Sequence, residues 1–326
     1  MTTSPRPFAA QAPAAGSRIL GTGHHRPDRV MTNADLEQLV ETSDEWIRQR
    51  TGIEERRIAA DGVDVGDLAA IAGRNALADA GVDPSEITQV IVATCSNHER
   101  SPSAAGRVAQ QLGIPAPAAF DVGAACSGFE HALAVADMSI RTGASTTTLV
   151  IGAEKLSAVT DYTDRTTCIL TADGAGAMVL TASEEPGIAP VVWGTVPELA
   201  DAVTINGEKP AFSQQGRQVL GWALREAPKI SKQIVEAAGL TMEDIDVFVP
   251  HQANLRMIEP LAAALGLRED AIVADDIITS GNTSAATIPL AISRMREAGR
   301  IPAGATALLV GFGGGFSWAG QVVRLP

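Results

Sequence analysis

Cysteine is scarce in this chain. Cys95, Cys126 and Cys168 are the only three, and no pair has metal-ligand spacing. An odd count without such spacing argues against a disulfide framework and a zinc ribbon, and suits a reducing cytoplasm. Positive charge is scarce as well: 25 Lys and Arg stand against 38 Asp and Glu, a net charge of −13. A chain this acidic is a poor nucleic-acid binder, because phosphate binding needs net or clustered positive charge. Unbroken apolar runs are also few. In the first 17 residues, MTTSPRPFAAQAPAAGS, Pro5, Pro7 and Pro13 interrupt any signal-peptide core, and the segment 1–17 reads as a disordered tail. Residues 301–323 carry no charge and are long enough to span a bilayer, but Pro302 and six glycines write them as strand, turn and strand. No membrane span is expected.

What the chain does contain is apolar mass. Over 326 residues, 45% are hydrophobic and 19% charged, enough for a substantial core in two domains or one large one. The order of segments repeats. Residues 80–92 (AGVDPSEITQVIV) match 238–250 (AGLTMEDIDVFVP), each reading as a helix-ending glycine, a loop, an isoleucine and a buried strand. Further on, Thr148–Gly152 (TLVIG) matches Ala307–Gly311 (ALLVG). Each follows a helical pattern, Ser127–Arg141 or Ser284–Ala298, that starts just after a small-residue turn. The reading is a duplication: two α/β halves, 18–182 and 183–326, packed as pseudo-equivalents.

Three residues stand out chemically. Cys126 lies in Gly123-Ala124-Ala125-Cys126-Ser127-Gly128, a tight turn opening a helix. A helix N-terminus favours the thiolate, which is the nucleophilic form, although an inert core cysteine fits the same pattern. Cys95 and Cys168 read as strand residues without such a turn. His251 ends an apolar strand, where sites form in α/β sheets, although it also fits a structural histidine. Asn282 sits in Gly281-Asn282-Thr283-Ser284, which reads equally as a helix cap. The cluster Gly311-Phe312-Gly313-Gly314-Gly315-Phe316 lacks the Lys-Ser/Thr of a phosphate loop, but offers a free backbone N–H as an oxyanion donor.

Together these segments resemble the β-ketoacyl-ACP synthase III family of the thiolase fold. The matching stretches include Thr42–Ile47, Arg50–Ile53, the Cys126 turn, Thr163–Arg165, Asp173–Ala177, Pro250–Arg256, Gly281–Ala285 and the glycine cluster, in order over nearly the whole chain. The resemblance implies a homodimer of duplicated βαβαβ halves in a five-layered αβαβα arrangement. It implies an acyltransferase that needs no metal or other cofactor and takes a CoA thioester as substrate. Cys126 would be acylated by acyl-CoA, and His251 and Asn282 would bind the carbonyl of a malonyl-acyl carrier protein as CO₂ leaves. The N–H groups of Cys126 and Gly314 would form the oxyanion hole. Trp46, Arg50, Thr51, Arg165 and Asn254 fall at CoA- and pantetheine-binding positions, and Arg256 at the carrier-docking rim.

The chain departs from the family pattern at Ser101 and Thr171, where phenylalanines usually wall the acyl pocket. It also departs at Leu220, at Ala263 and Ala264, and in the shortened segment 189–210. The two small hydroxylated residues suggest a starter larger than acetyl, unless the shortened segment fills the gap. Docking of an acidic carrier on a −13 chain needs a local basic patch, for which Arg225 and Arg256 are candidates with Arg217, Lys229 and Lys232. Two other readings remain open: acyl transfer to a hydroxyl or amine on the same fold, and a catalytically silent partner subunit. The first would not need the decarboxylation pair, and the second would not need Cys126.

Overall fold

The computed structural model describes residues 13–99, 101–207 and 210–326. Among them, ten strands make two five-stranded sheets. The first holds β1 (Gly16–His25), β2 (Gln89–Ala93), β3 (Ala118–Val122), β4 (Thr147–Lys155) and β5 (Asp173–Ser183), in the order β1-β5-β4-β2-β3. The second holds β6 (Val192–Thr195), β7 (Val247–Pro250), β8 (Ile272–Val273), β9 (Thr306–Phe312) and β10 (Ser317–Arg324), in the order β6-β10-β9-β7-β8. Each strand of the first sheet thus has its counterpart five numbers later. Directions agree too: β4-β2-β3 and β9-β7-β8 run parallel, and the other pairs in each sheet are antiparallel.

Six helices supply the remaining layers: α1 (Val65–Ala80), α2 (Ala104–Leu112), α3 (Gly128–Arg141), α4 (Gly216–Ala237), α5 (Leu255–Leu265) and α6 (Thr287–Glu297). Period-two alternation sends strand residues to two different cores. Ile91 and Ala93 of β2, with Ala307 and Leu309 of β9, pack on Phe129, Leu133 and Ile140 of α3 and Ile288 and Ile292 of α6 between the sheets. Val90 and Val92 pack outward on α1 and α2. Leu308 and Val310 pack outward on α4 and α5. The result is the expected αβαβα arrangement.

The duplication also explains two glycines. A side chain on Gly152 would strike the Ala285 carbonyl, and one on Gly311 would lie 2.9 Å from Ser127 Cα. Each sheet is therefore bare where the turn of the other half crosses it. Those turns share an uncommon backbone, with Ala125 at φ 43° and Ser284 at φ 45°.

The chain is ordered earlier than its composition suggested. β1 begins at Gly16, Ser17 is fully buried with Oγ donating to Asp137 at 2.8 Å, and the Ala14 N–H donates to the Arg141 carbonyl at 2.9 Å. The tail read as 1–17 therefore ends sooner, because small residues such as Gly16 and Ser17 fit a crowded sheet edge as well as a coil. Its residues 1–12 lie outside the described residues. The uncharged stretch 301–323 holds β9, a tight turn and most of β10, and no helix among the described residues is long and apolar enough to cross a membrane.

Candidate active site

Cys126 occupies the single tight turn Ala125–Ser127 that leads into α3, and it is 7% exposed. His251 directly follows β7, and Asn282 precedes the matching turn into α6. The first half thus supplies the thiol and the second half the imidazole and amide. All three line one cavity of about 110 Å³, together with Leu170, Asn254, Arg256 and Phe312. Among the described residues no group of His, Cys, Asp and Glu side chains could hold a metal ion.

The Ser284 hydroxyl and the N–H groups of Gly314 and Cys126 each favour the Cys126 thiolate. The two N–H groups are those expected to form the oxyanion hole. Burial still wins, pushing the thiol up to about 11, so the resting group is protonated. This corrects the expectation of a thiolate favoured by the helix dipole: desolvation at the buried turn outweighs it. Gly313 is obligatory here, since a Cβ would stand 2.6 Å from Cys126 Cβ and 2.7 Å from Sγ.

His251 is buried, and burial lowers it to about 3, so the ring is neutral. Its Nδ1 shares a 2.8 Å hydrogen bond with Thr287 Oγ1, and Phe312 packs against it edge-on at 6.1 Å. Nε2 is left for the cavity. Asn282 is clamped by its neighbours: its N–H donates to the Leu170 carbonyl at 2.8 Å, and its own carbonyl accepts from Ala172 at 2.9 Å. Its Oδ1 accepts the Ser284 N–H at 2.8 Å, which leaves Nδ2 as a free donor.

A second cavity of about 400 Å³ opens on the other side of Cys126. Its walls include Leu156, Thr195, Gly314 and the hairpin strands Val203–Asn206 and Ala211–Gln214. Cys126, Val203 and Phe212 line both cavities. The nucleophile therefore stands between a channel leading to Arg256 and a chamber able to hold a chain. A larger cavity of about 550 Å³, near His24 and Arg296 at the far end of α6, holds none of the expected residues.

Not every expected residue is where the sequence put it. Thr171 is buried and bridged to Asn282, and its hydroxyl pairs with Thr160 Oγ1 at 2.7 Å. Ser101 is exposed and lines neither cavity. The segment read as shortened lines the chamber, through Thr195, Val203, Thr204 and Ile205. Thr51 is buried, with its hydroxyl donating to the Ile47 carbonyl at 2.7 Å. Trp46 is half-buried and carries two guanidinium groups over its ring, Arg165 at 5.0 Å and Arg50 at 5.2 Å. Asn254 caps α5 through Oδ1 and lines the channel with Arg256. Arg225 and Arg217 are exposed on α4, whereas Lys229 is paired with Glu226 at 3.0 Å.

Sequence reasoning missed Ser284, Thr287, Phe212 and Cys95. The two hydroxyl residues had the pattern of an ordinary helix start. Cys95 lies beyond the end of β2, not on a strand, and lines the chamber beside Cys126.

Comparison with known proteins places this geometry. Residues 120–197 match the family described as 3-oxoacyl-[acyl-carrier-protein (ACP)] synthase III, and residues 235–325 match its C-terminal family. The chain is 53% identical to beta-ketoacyl-[acyl-carrier-protein] synthase III 4 of Streptomyces coelicolor, covering 95% of this chain and 99% of the relative. It is 43% identical to the mycobacterial beta-ketoacyl-[acyl-carrier-protein] synthase III of Mycolicibacterium paratuberculosis, covering 98% of each. Among solved structures, the priming beta-ketosynthase of a polyketide biosynthetic pathway superimposes with a TM-score of 0.95 at 38% identity, covering 98% of this chain and 99% of the other. The Aquifex aeolicus 3-oxoacyl-[acyl-carrier-protein] synthase III gives 0.90 at 39% identity, covering 95% and 100%.

Proposed function

This chain belongs to the 3-oxoacyl-[acyl-carrier-protein] synthase III family, and on that premise we propose how its residues divide the reaction. The enzyme is an acyl-transferring condensing enzyme. It joins an acyl-CoA starter to a malonyl-carrier thioester with loss of CO₂, giving the 3-oxoacyl-carrier product that starts a fatty-acid or polyketide chain.

In our reading the Cys126 sulfur attacks the acyl-CoA carbonyl, its proton leaves on the CoA sulfur, and the acyl chain lies in the 400 Å³ chamber. The N–H groups of Cys126 and Gly314 receive the developing oxyanion. Malonyl carrier then extends its arm down the channel past Arg256 and Asn254. With the Thr287 hydroxyl turned to donate to His251 Nδ1, His251 Nε2–H and Asn282 Nδ2–H hold the thioester carbonyl while CO₂ departs, and the enolate carbon attacks the acyl-Cys126 carbonyl. Collapse expels the Cys126 thiolate, which regains a proton from solvent. Trp46, Arg50 and Arg165 stack on the CoA base, and Arg225 with Arg256 receives the acidic carrier. Thiol exchange and decarboxylation written this way balance without a metal or redox cofactor.

The observation that carries this reading is the convergence of Cys126, His251 with a neutral ring, and Asn282 with a free Nδ2 on one cavity. A silent subunit has no use for that convergence, and transfer to a hydroxyl or amine has no use for a carbonyl-binding pair. We further propose a cytoplasmic homodimer of two-half subunits, 18–182 with the preceding strand residues and 183–326. The half-buried Phe120 and Val122 on edge strand β3 and the exposed Met138 on α3 give a second copy a face to cover. The test is intact mass spectrometry with acyl-CoA, then with malonyl carrier. An acyl adduct on Cys126 followed by a 3-oxoacyl-carrier product is expected; an adduct without CO₂ release would overturn the assignment of the pair.

A further inference from the structure

Arg56 is fully buried, and no carboxylate among the described residues hydrogen-bonds its guanidinium. It sits on the short strand Glu55–Arg57, which pairs with Val30–Thr32. Its Nη1 donates to Asn33 Oδ1 at 2.7 Å and to the Met31 carbonyl at 3.4 Å, and its Nη2 donates to the Ile169 carbonyl at 2.9 Å. All three acceptors are neutral. Glu55 and Asp35 act on it only through space, and its Nε has no partner. Burial lowers the guanidinium to about 10, so it keeps its charge at pH 7. A buried cation without a counter-ion opposes folding, and an apolar side chain of similar volume would fill the space without that desolvation.

The groups that Arg56 holds lead to Asn282. Ile169 opens the strap 169–172, in which the Leu170 carbonyl accepts the Asn282 N–H at 2.8 Å, Thr171 is bridged to Asn282, and the Ala172 N–H donates to the Asn282 carbonyl at 2.9 Å. Arg56 also reaches the residue before the amide. Gly281 stands at φ 69°, and a Cβ there would lie 3.0 Å from Arg56 Cβ and 2.8 Å from Ala172 Cβ. The stem of Arg56 therefore packs on Gly281, while its fork grips the strap that pairs with Asn282. The fork is anchored on its other side, because Asn33 Nδ2 donates to the Ile53 carbonyl at 2.9 Å and to Asp44 at 2.8 Å. Charged donors make stronger hydrogen bonds than neutral ones, and with no carboxylate to share it the charge falls on these oxygens. The planar fork also fixes direction, which a lysine ammonium does not.

We propose that Arg56 is a positioning residue for decarboxylation: it fixes the 169–172 strap and, through it, aims Asn282 Nδ2 at the malonyl thioester carbonyl. The proposal rests on Asn282 being one of the two donors to that carbonyl. Asn282 hangs on the strap by main-chain bonds, so a strap that shifts carries the amide with it, and a small misplacement at the reacting group is large in rate. Cys126 and the Gly314 N–H lie on other segments, so acyl transfer does not depend on this grip.

The experiment uses the full chain. CO₂ release from malonyl carrier is read in a Cys126→Ala background, with Arg56→Met or Arg56→Lys, and with Asn282 intact or replaced in Asn282→Ala. Acylation is read by intact mass spectrometry at saturating acyl-CoA, with Cys126 present. Arg56→Met should lose about tenfold in decarboxylation kcat, with the carrier KM within about threefold. Arg56→Lys keeps the charge but not the fork and should lose only about threefold. Acylation should stay within about twofold in both variants. In the Asn282→Ala background Arg56→Met should cost less than about twofold, since an absent amide cannot be misaimed. A loss shared equally by acylation and decarboxylation overturns the proposal, as does a loss that persists without the Asn282 amide, or parent-like CO₂ release from the Arg56 variants. Should Arg56→Met not fold, Arg56→Lys carries the same cycle with its smaller loss. If Asn282→Ala alone releases CO₂ as fast as its parent, the assignment of the carbonyl-binding pair fails and this proposal with it. A slow Asn282→Ala beside fast Arg56 variants overturns this proposal alone.

Discussion

Lowering the pH from 7 to 5 charges His251 in the unfolded chain but not in the folded one. Its ordinary value is 6.5 and burial holds it near 3 in the native state, with no carboxylate to offset the desolvation. A base whose folded value is depressed contributes its full stability above 6.5 and loses it as the pH falls toward 3. Within that window each pH unit costs about 1.4 kcal/mol, so the step from pH 7 to pH 5 should cost about 2 kcal/mol from this one ring. Glu130, Glu154 and Asp173 act in the opposite sense, because burial raises all three and favours the folded state as the pH falls. The His251 contribution is therefore isolated as a difference. Urea unfolding of the parent and of His251→Asn, at pH 7 and pH 5 and equal ionic strength, should show the parent losing about 2 kcal/mol more than the variant. Parallel losses would refute the buried neutral ring. So would a decarboxylation kcat that falls through an inflection at about pH 6.5 in the parent, since a ring already neutral has nothing to titrate there.

Gly313→Ala should lower acylation of Cys126 at least about 100-fold, measured as adduct formation, because the new methyl displaces the sulfur. Val203→Phe, which narrows the chamber, should cut kcat/KM for a long-chain acyl-CoA about tenfold relative to acetyl-CoA. Ser101→Phe should leave that ratio unchanged; a shift toward acetyl would restore Ser101 to the pocket. Arg225→Glu with Arg256→Glu should raise the carrier KM several-fold more at low salt than at high salt, and more than the acyl-CoA KM; equal effects on both would dismiss the patch. Glu130→Gln should stabilise the protein at pH 8 and flatten its pH dependence between pH 5 and 8. Glu130 is buried against Gly311 with only its own backbone N–H to favour ionisation, so stability of the parent should decline as pH rises from its ordinary value of 4.5.

The duplication was legible because it rests on pattern. Buried parallel strands such as Gln89–Ala93 and Val247–Pro250 are apolar on both faces, and a glycine must stand where another backbone crosses, as at Gly152 and Gly311. The order of turn, thiol and helix at Cys126 was legible for the same reason. What escaped depended on side-chain direction in irregular segments. Nothing in the letters at 160 and 171 says that two threonines will satisfy each other, or that Val203 and Ile205 will line the chamber. Ser284 escaped because a positive φ at a non-glycine residue leaves no compositional mark. The protonation of Cys126 escaped because helix position was visible and desolvation was not.

The nucleophile and the groups that hold the malonyl carbonyl come from opposite halves of the polypeptide, with Cys126 and His251 125 positions apart. During synthesis the ribosome delivers β1 to β5 and the Cys126 turn first, and the partners of that thiol follow only within the second sheet, His251 after β7 and Asn282 after β8. A chain stalled or cleaved after β5 carries the thiol but not the pair that would hold a malonyl thioester for decarboxylation. Bare Gly152 then lies open to water until the second turn covers it. The crossing of the halves thus works as an assembly check: a partial product cannot squander malonyl groups, because the site comes into being only with the last sheet.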